Sequence, residues 1–243
     1  MVDLATLARP GDYVGGAFRS PAQADDEIVL RSPADLADLS ALHPVSVAHV
    51  DQAVDAARQA FPAWWHLGEQ ARRGILRAYQ REVRAAEDDI ALAIAREVGK
   101  PLWEARTEAR ALAGKVDLML GEGAELPRAR VVEGAGEVRY RPHGVLAVLG
   151  PFNFPAHLPN GQIVPALLHG NTVVFKPSDK TPAVGQLLAE MLDEALLASG
   201  APAGTFNMIQ GAADIAKDLA THDDIDGILF TGSWPVGRRI LEA

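Results

Sequence analysis

Residues 145–178 read VLAVLGPFNFPAHLPNGQIVPALLHGNTVVFKPS, and no other stretch restricts the fold as much. Two short apolar runs, Val145–Leu149 and Thr172–Phe175, flank a helix-length segment, and each run ends in a compact polar cluster. Short continuous apolar runs bounded by turn residues fit strands buried on both faces, and the spacing between them accommodates a crossover helix. The stretch therefore predicts a βαβ unit. Ligands of open parallel sheets sit outside the carboxyl ends of the strands, so Asn153 and Lys176 both fall on the expected binding edge.

The rest of the chain extends this pattern. Apolar residues at Val47, Val50, Val54, Ala57 and Phe61 predict a helix ended by Pro62. One longer helix is expected over Glu69–Val98, stopped by Gly99 and Pro101, and a third over Trp103–Leu120. Residues 126–141 alternate loosely around Gly134 and Gly136 and read as a hairpin. Beyond Ser178 come a helix over Ala183–Ala198, a strand over Thr205–Ile209, a short helix over Ala212–Ala220, a strand over Ile225–Phe230 and a final helix through Ala243. This β/α alternation predicts an α/β fold, a Rossmann-like parallel sheet with helices on both faces. The expected organisation is a segment of irregular strands and loops at 1–45, with Asp12–Arg19 and Ile28–Arg31 as candidate strands, a helical part at 46–125, a hairpin at 126–141 and a nucleotide-binding core at 142–243.

Composition narrows the partners. A net charge of −9 with no Lys/Arg cluster disfavours nucleic acid. The N-terminus lacks a signal-peptide pattern and no apolar run nears spanning length, so the expectation is a cytoplasmic chain without a membrane partner. There is no cysteine, which excludes disulfides, thiolate ligands and a cysteine nucleophile within these 243 residues. The seven histidines show no HExxH spacing, so no metal site is expected. Trp64-Trp65 and Arg72-Arg73 read as helix-end packing and a solvated face.

Three places could carry chemistry. Asn153 lies just after a buried strand, where a helix is expected to start; it is either a capping or turn asparagine or a neutral hydrogen-bond donor to a developing oxyanion. Lys176, followed by Ser178 and Asp179, is either a solvated strand-end lysine or part of a grip on an adenosine ribose, where the acid would repel a 2′-phosphate. Gly232-Ser233-Trp234-Pro235-Val236-Gly237 opens the last helix and is either a plain turn or a phosphate-binding helix start. No GxGxxG occurs, and Arg238-Arg239 excludes a phosphate-loop NTPase.

Taken in order, Gly150-Pro151-Phe152-Asn153-Phe154-Pro155, Phe175-Lys176-Pro177-Ser178, Pro202-Ala203-Gly204-Thr205-Phe206-Asn207 and Phe230-Thr231-Gly232-Ser233 resemble the N-terminal half of the aldehyde dehydrogenase superfamily. Glu97-Val98-Gly99-Lys100-Pro101 resembles it as well. The segments Arg141–Val145, His157–Gly161 and Ile163–Leu167 are similar to the branch that oxidises N-succinylglutamate 5-semialdehyde in arginine catabolism.

The resemblance implies Asn153 as oxyanion donor and Lys176, Ser178 and Asp179 around the ribose. It implies Gly211 and Gly232–Gly237 near the coenzyme, with Leu149, Pro151 and Phe152 lining the nicotinamide side. It further implies NAD as cofactor, a small aldehyde as substrate and a homo-oligomeric parent whose subunits associate through the 126–141 hairpin. Two departures stand out: Asp179 replaces a more frequent glutamate, and Phe152 a frequent tryptophan. The family's general-base glutamate and catalytic cysteine lie beyond the Thr-Gly-Ser turn, and Glu242 is too near Ser233 to be the former. The chain is thus expected to be an N-terminal portion, inactive alone; the alternative is a non-catalytic nucleotide-binding module or half of a split enzyme.

Overall fold

The computed structural model describes residues 11–34, 36 and 38–243. A six-stranded sheet runs through its centre. Four strands are parallel: β7 (Val145–Leu149), β8 (Thr172–Lys176), β9 (Phe206–Met208) and β10 (Gly227–Phe230). Two from the N-terminus, β1 (Asp12–Val14) and β2 (Ala17–Arg19), add to its edge in antiparallel sense and extend the expected parallel sheet into a mixed one. The order is β10-β7-β8-β9-β1-β2. Separate two-stranded ribbons are formed by β3 (Asp26–Arg31) with β4 (Asp38–Val45), and by β5 (Arg130–Val132) with β6 (Gly136–Val138). The segment before residue 46 thus supplies four strands, among them strands within the two candidate stretches Asp12–Arg19 and Ile28–Arg31, and its first ten residues lie outside the described ones.

The helices are α1 (Ala48–His66), α2 (Glu69–Ala85), α3 (Glu87–Val98), α4 (Leu102–Leu118), α5 (His157–Leu168), α6 (Pro182–Ser199), α7 (Ala213–Ala220) and α8 (Trp234–Glu242). Strand alternation sorts the core. Leu146, Val148, Val173, Phe175, Phe206 and Met208 pack on the face covered by α2–α6. Val145, Ala147, Leu149 and Val174 pack on the face covered by α1 and α7. Right-handed crossovers explain the distribution: β7-α5-β8-α6-β9 moves one way across the sheet, and β9-α7-β10 returns past β7, so its helix falls on the opposite face. The reversal leaves a crevice between β7 and β10.

Three local expectations are corrected. Pro62 does not end α1, which continues to His66, because Trp64 in its last turn is wholly buried and its indole N–H donates to the Leu167 carbonyl at 3.1 Å. That anchor holds the turn although Pro62 supplies no N–H. The expected helix over 69–98 is two helices broken at Ala86 (φ −95°, ψ 11°), where Glu87, Asp88 and Asp89 form a new acidic first turn suited to a helix N-terminus.

Arg72, expected on a solvated face, is buried. It donates to the carbonyls of Leu168 (2.9 Å), Trp64 (3.2 Å) and Trp65 (2.8 Å), tying α2 to the ends of α1 and α5. Burial pulls its pKa below the ordinary value, against the nearby Glu69. Among the described residues no helix is long and apolar enough to cross a membrane.

The Arg72→Met variant tests this burial. It removes three hydrogen bonds and leaves the Leu168 carbonyl without this donor, and urea unfolding should show a loss of about 2–4 kcal/mol; a change within about 0.5 kcal/mol would mean a solvated side chain.

Candidate functional site

The crevice at the carboxyl ends of β7, β8 and β10 is a cleft of about 990 Å³. Leu149, Gly150, Pro151, Phe152 and Asn153 line it from β7, Lys176, Ser178 and Asp179 from β8, and Phe230–Ser233 from β10. Gly232, Ser233 and Val236 line it within the last turn motif, whereas Trp234, Pro235 and Gly237 do not; Trp234 is exposed and sits under the Arg238 guanidinium at 5.5 Å. Gly211 does not line the cleft; its carbonyl accepts from Lys176 Nζ, which does. Several lining residues gave no sequence signal, among them Ala212, Asp214, Lys217, Arg239 and Ile240. They sit on helical faces that ordinary amphipathic patterning already explains.

Asn153 does not cap a helix. Helix α5 begins at His157, and Asn153 lies in the bend that precedes it. The first amides of α5 are instead taken by Glu108, whose Oε1 accepts from the Ala156 and His157 N–H groups, both at 3.2 Å. The other Glu108 oxygen pairs with Lys100 Nζ at 2.7 Å, and that ammonium lies 3.7 Å from the Phe154 ring centroid. On the other flank, Lys180 sits 4.8 Å from the Phe152 ring centroid. Both aromatic neighbours of Asn153 are therefore held by cations, while the exposed carboxamide between them stays open to a ligand.

Lys176 is buried rather than solvated. Its Nζ donates to the carbonyls of Gly211 and Ala212, which uses two of its three donors. Burial lowers its pKa to about 8, against the opposing fields of Asp179 and Asp214. A buried ammonium satisfied only by carbonyls at a cleft wall is a group suited to gripping hydroxyl or anionic oxygen. Beside it, Ser178 Oγ stands 3.3 Å from Asp179 Oδ1 and accepts from the Lys180 amide at 3.2 Å.

The start of α8 completes the wall. Ser233 is the N-cap in extended conformation and makes no side-chain cap bond, so first-turn amides remain available to an anion. A Cβ at Gly232 would stand 2.4 Å from the Phe230 ring, which fixes glycine at this corner. Among the described residues no group of three or more His, Cys, Asp or Glu is placed to hold a metal ion.

A profile of the aldehyde dehydrogenase family matches residues 18–243. The chain belongs to this family. It is 51% identical over 198 residues to the N-succinylglutamate 5-semialdehyde dehydrogenase of Sphingopyxis alaskensis, covering 80% of this chain and 40% of that protein. It is 45% identical over 218 residues to the protein of the same name from Novosphingobium aromaticivorans, covering 88% and 45%. Among solved structures, gamma-glutamyl-gamma-aminobutyraldehyde dehydrogenase from Burkholderia cenocepacia superposes with a TM-score of 0.89 at 34% identity, covering 99% of this chain and 49% of that one. Lactaldehyde dehydrogenase from Escherichia coli superposes with a TM-score of 0.87 at 29% identity, covering 96% and 50%. The chain thus spans less than half the length of the curated relatives it matches. Members of the family generally use NAD(P).

The depressed Lys176 pKa fixes a sign. The folded chain holds the Lys176 proton less tightly than the unfolded one, so this residue destabilises the fold below about 8 and the penalty fades as pH rises toward the unfolded value of 10.5. The native chain should therefore gain up to about 3 kcal/mol of stability between pH 8 and pH 10.5 in chemical denaturation, and the Lys176→Met variant should lack this pH-dependent gain.

Proposed function

We propose that this chain carries the coenzyme cleft and the oxyanion donor of an NAD-dependent oxidoreductase that converts an aldehyde to a carboxylic acid, with N-succinylglutamate 5-semialdehyde as substrate. The observation that carries this reading is the convergence, on one crevice at the strand-order reversal, of an unengaged Asn153 carboxamide, a buried Lys176 ammonium and the uncapped start of α8. The relatives named for that semialdehyde support the substrate.

The residues divide the work by position. Lys176 and Ser178 hold the adenosine ribose, and the Asp179 carboxylate repels a 2′-phosphate, which favours NAD over NADP. Amides at Ser233 and Val236 meet the pyrophosphate, with Gly232 keeping the turn open. Leu149, Pro151 and Phe152 form the apolar wall beside the nicotinamide, which when bound accepts the hydride from the aldehyde carbon. Asn153 donates its N–H to the carbonyl oxygen as that oxygen gains charge. A neutral donor between two rings that each contact a cation acts with little reorganisation, and removing such a donor costs about 10²–10³ in rate.

The 243 residues contain no cysteine, so the thiol nucleophile and the base that activates water are proposed to come from outside them. The β5–β6 ribbon, whose Val131 is 83% exposed, is proposed as the self-association surface.

Calorimetric titration of NAD into the chain tests the cleft. Wild type should bind NAD more tightly than NADP, and Lys176→Met should weaken NAD by about tenfold, the size expected for loss of one charge-assisted hydrogen bond. Asp179→Ala should narrow the preference over NADP. Equal affinity for the two dinucleotides in wild type would overturn the proposed role of Asp179, and no NAD binding at all would overturn the coenzyme assignment.

A further inference from the structure

Helices α4 and α5 run side by side in the same direction. Glu108 meets the amides of Ala156 and His157, the Leu112 carbonyl accepts from Asn160 Nδ2 at 3.1 Å, and Lys115 lies against Gly161. A Cβ at Gly161 would stand 3.3 Å from Lys115 Cε, so the missing side chain makes room for the lysine stem. Glycine inside a helix costs about 1 kcal/mol relative to alanine, and here the space it leaves on the face of α5 is taken by the Lys115 stem. Helical side chains tilt toward their own N-terminus, toward His157 one turn before Gly161, and the Lys115 charge is felt at that imidazole.

Two features coincide at this place. The neighbouring cations of the helical layer are paired: Arg73 with Glu69, Arg77 and Arg84 with Asp117, Lys100 with Glu108, and Arg110 with Glu87. Lys115 forms no ion pair or hydrogen bond among the described residues, although the chain carries a net charge of −9. His157 Nδ1 is buried and has no hydrogen-bond partner. Burial and then the Lys115 charge hold its pKa below the ordinary histidine value, with Glu108 opposing and Lys100 adding to the effect. A half-buried cation without an anion, beside a buried imidazole nitrogen without a partner, is an arrangement short of one negatively charged acceptor.

We propose that Lys115 and His157 form a subsite for a carboxylate of the aldehyde substrate. The inference rests on the aldehyde-oxidising reading above and adds which residues recognise the substrate's charge. Its position fits. His157 follows Asn153 by one short bend, so an anion held there lies near the proposed oxyanion donor, and neither Lys115 nor His157 lines the coenzyme cleft. N-succinylglutamate 5-semialdehyde, for which the relatives are named, bears carboxylates that an acidic surface would otherwise repel.

Calorimetry on the 243-residue chain, with N-succinyl-L-glutamate as probe and its fully esterified methyl ester as uncharged control, tests the subsite. Wild type should bind the acid and not the ester. Lys115→Met should weaken the acid by about tenfold, Lys115→Arg should retain it within about threefold, and Lys115→Glu should abolish it. Binding should also shift the side-chain ¹⁵N resonances of His157, which a distant site would leave unmoved. NAD affinity should be the same in all of these variants, which verifies their folding independently. Equal binding of the acid by wild type and Lys115→Glu, or NAD binding with no binding of the acid, overturns the subsite alone. Failure of wild type to bind NAD overturns the coenzyme reading instead.

Discussion

The crevice depends on two buried carboxylates that cap helices to which they do not belong. A helix start leaves amide groups unpaired, and in a buried layer water cannot satisfy them. Neither α5 nor α6 solves this with its own side chains. Glu108 accepts from the first amides of α5, and Glu97 accepts from Ala183 and Val184 at the start of α6, both at 2.8 Å. Thr181 stands at the N-cap of α6, yet its hydroxyl has no partner because the glutamate has taken the amides. Burial pushes the Glu97 pKa up to about 8 against the pull of its two amide bonds. That cost is local to the contact on which the placement of α6 relies.

Both glutamates flank a single turn. Gly99 ends α3 in left-handed conformation (φ 79°), and a Cβ there would stand 2.8 Å from the Pro33 ring, so the chain reverses sharply at Gly99-Lys100-Pro101. The turn points α3 at one crossover helix and α4 at the other, and Lys100 between them clamps Glu108 and the Phe154 ring. One elbow thus sets the start of each helix that follows a central strand. With α5 already capped from outside, Asn153 is released from the capping role its position would otherwise demand.

This division explains what the sequence discloses. The buried strands at Val145–Leu149 and Thr172–Lys176 were legible because continuous apolar runs need no knowledge of their partners. Lys176 and Asn153 were legible as positions, since strand ends define the binding edge, but Lys176's burial and Asn153's freedom depend on Gly211 and Glu108, distant in sequence. Arg72 looked like a surface residue because nothing near it announces the three carbonyls it meets. The same holds for Asp12, buried in β1, which pairs with His49 at 2.7 Å and accepts from the Gln210 amide at 2.6 Å. Pro62 and Ala86 misled in opposite directions: a tertiary anchor carried one helix past a breaker, and an acidic first turn split another where periodicity was continuous.

The polar groups of the cleft and of its supporting layer fall into two kinds. Glu97, Glu108, Arg72 and Asp12 have their hydrogen bonds met inside the chain, and their work is to fix helices and strands relative to one another. Asn153, the third donor of Lys176 and the first amides of α8 make no such bonds and lie at the cleft formed by the ends of β7, β8 and β10, while Lys115 and the His157 ring nitrogen are unpartnered alongside α5. A folded chain tolerates unmet polar groups only where a ligand or water completes them. Groups of the first kind set the frame, and those of the second are the ones on which the proposed coenzyme and carboxylate sites draw.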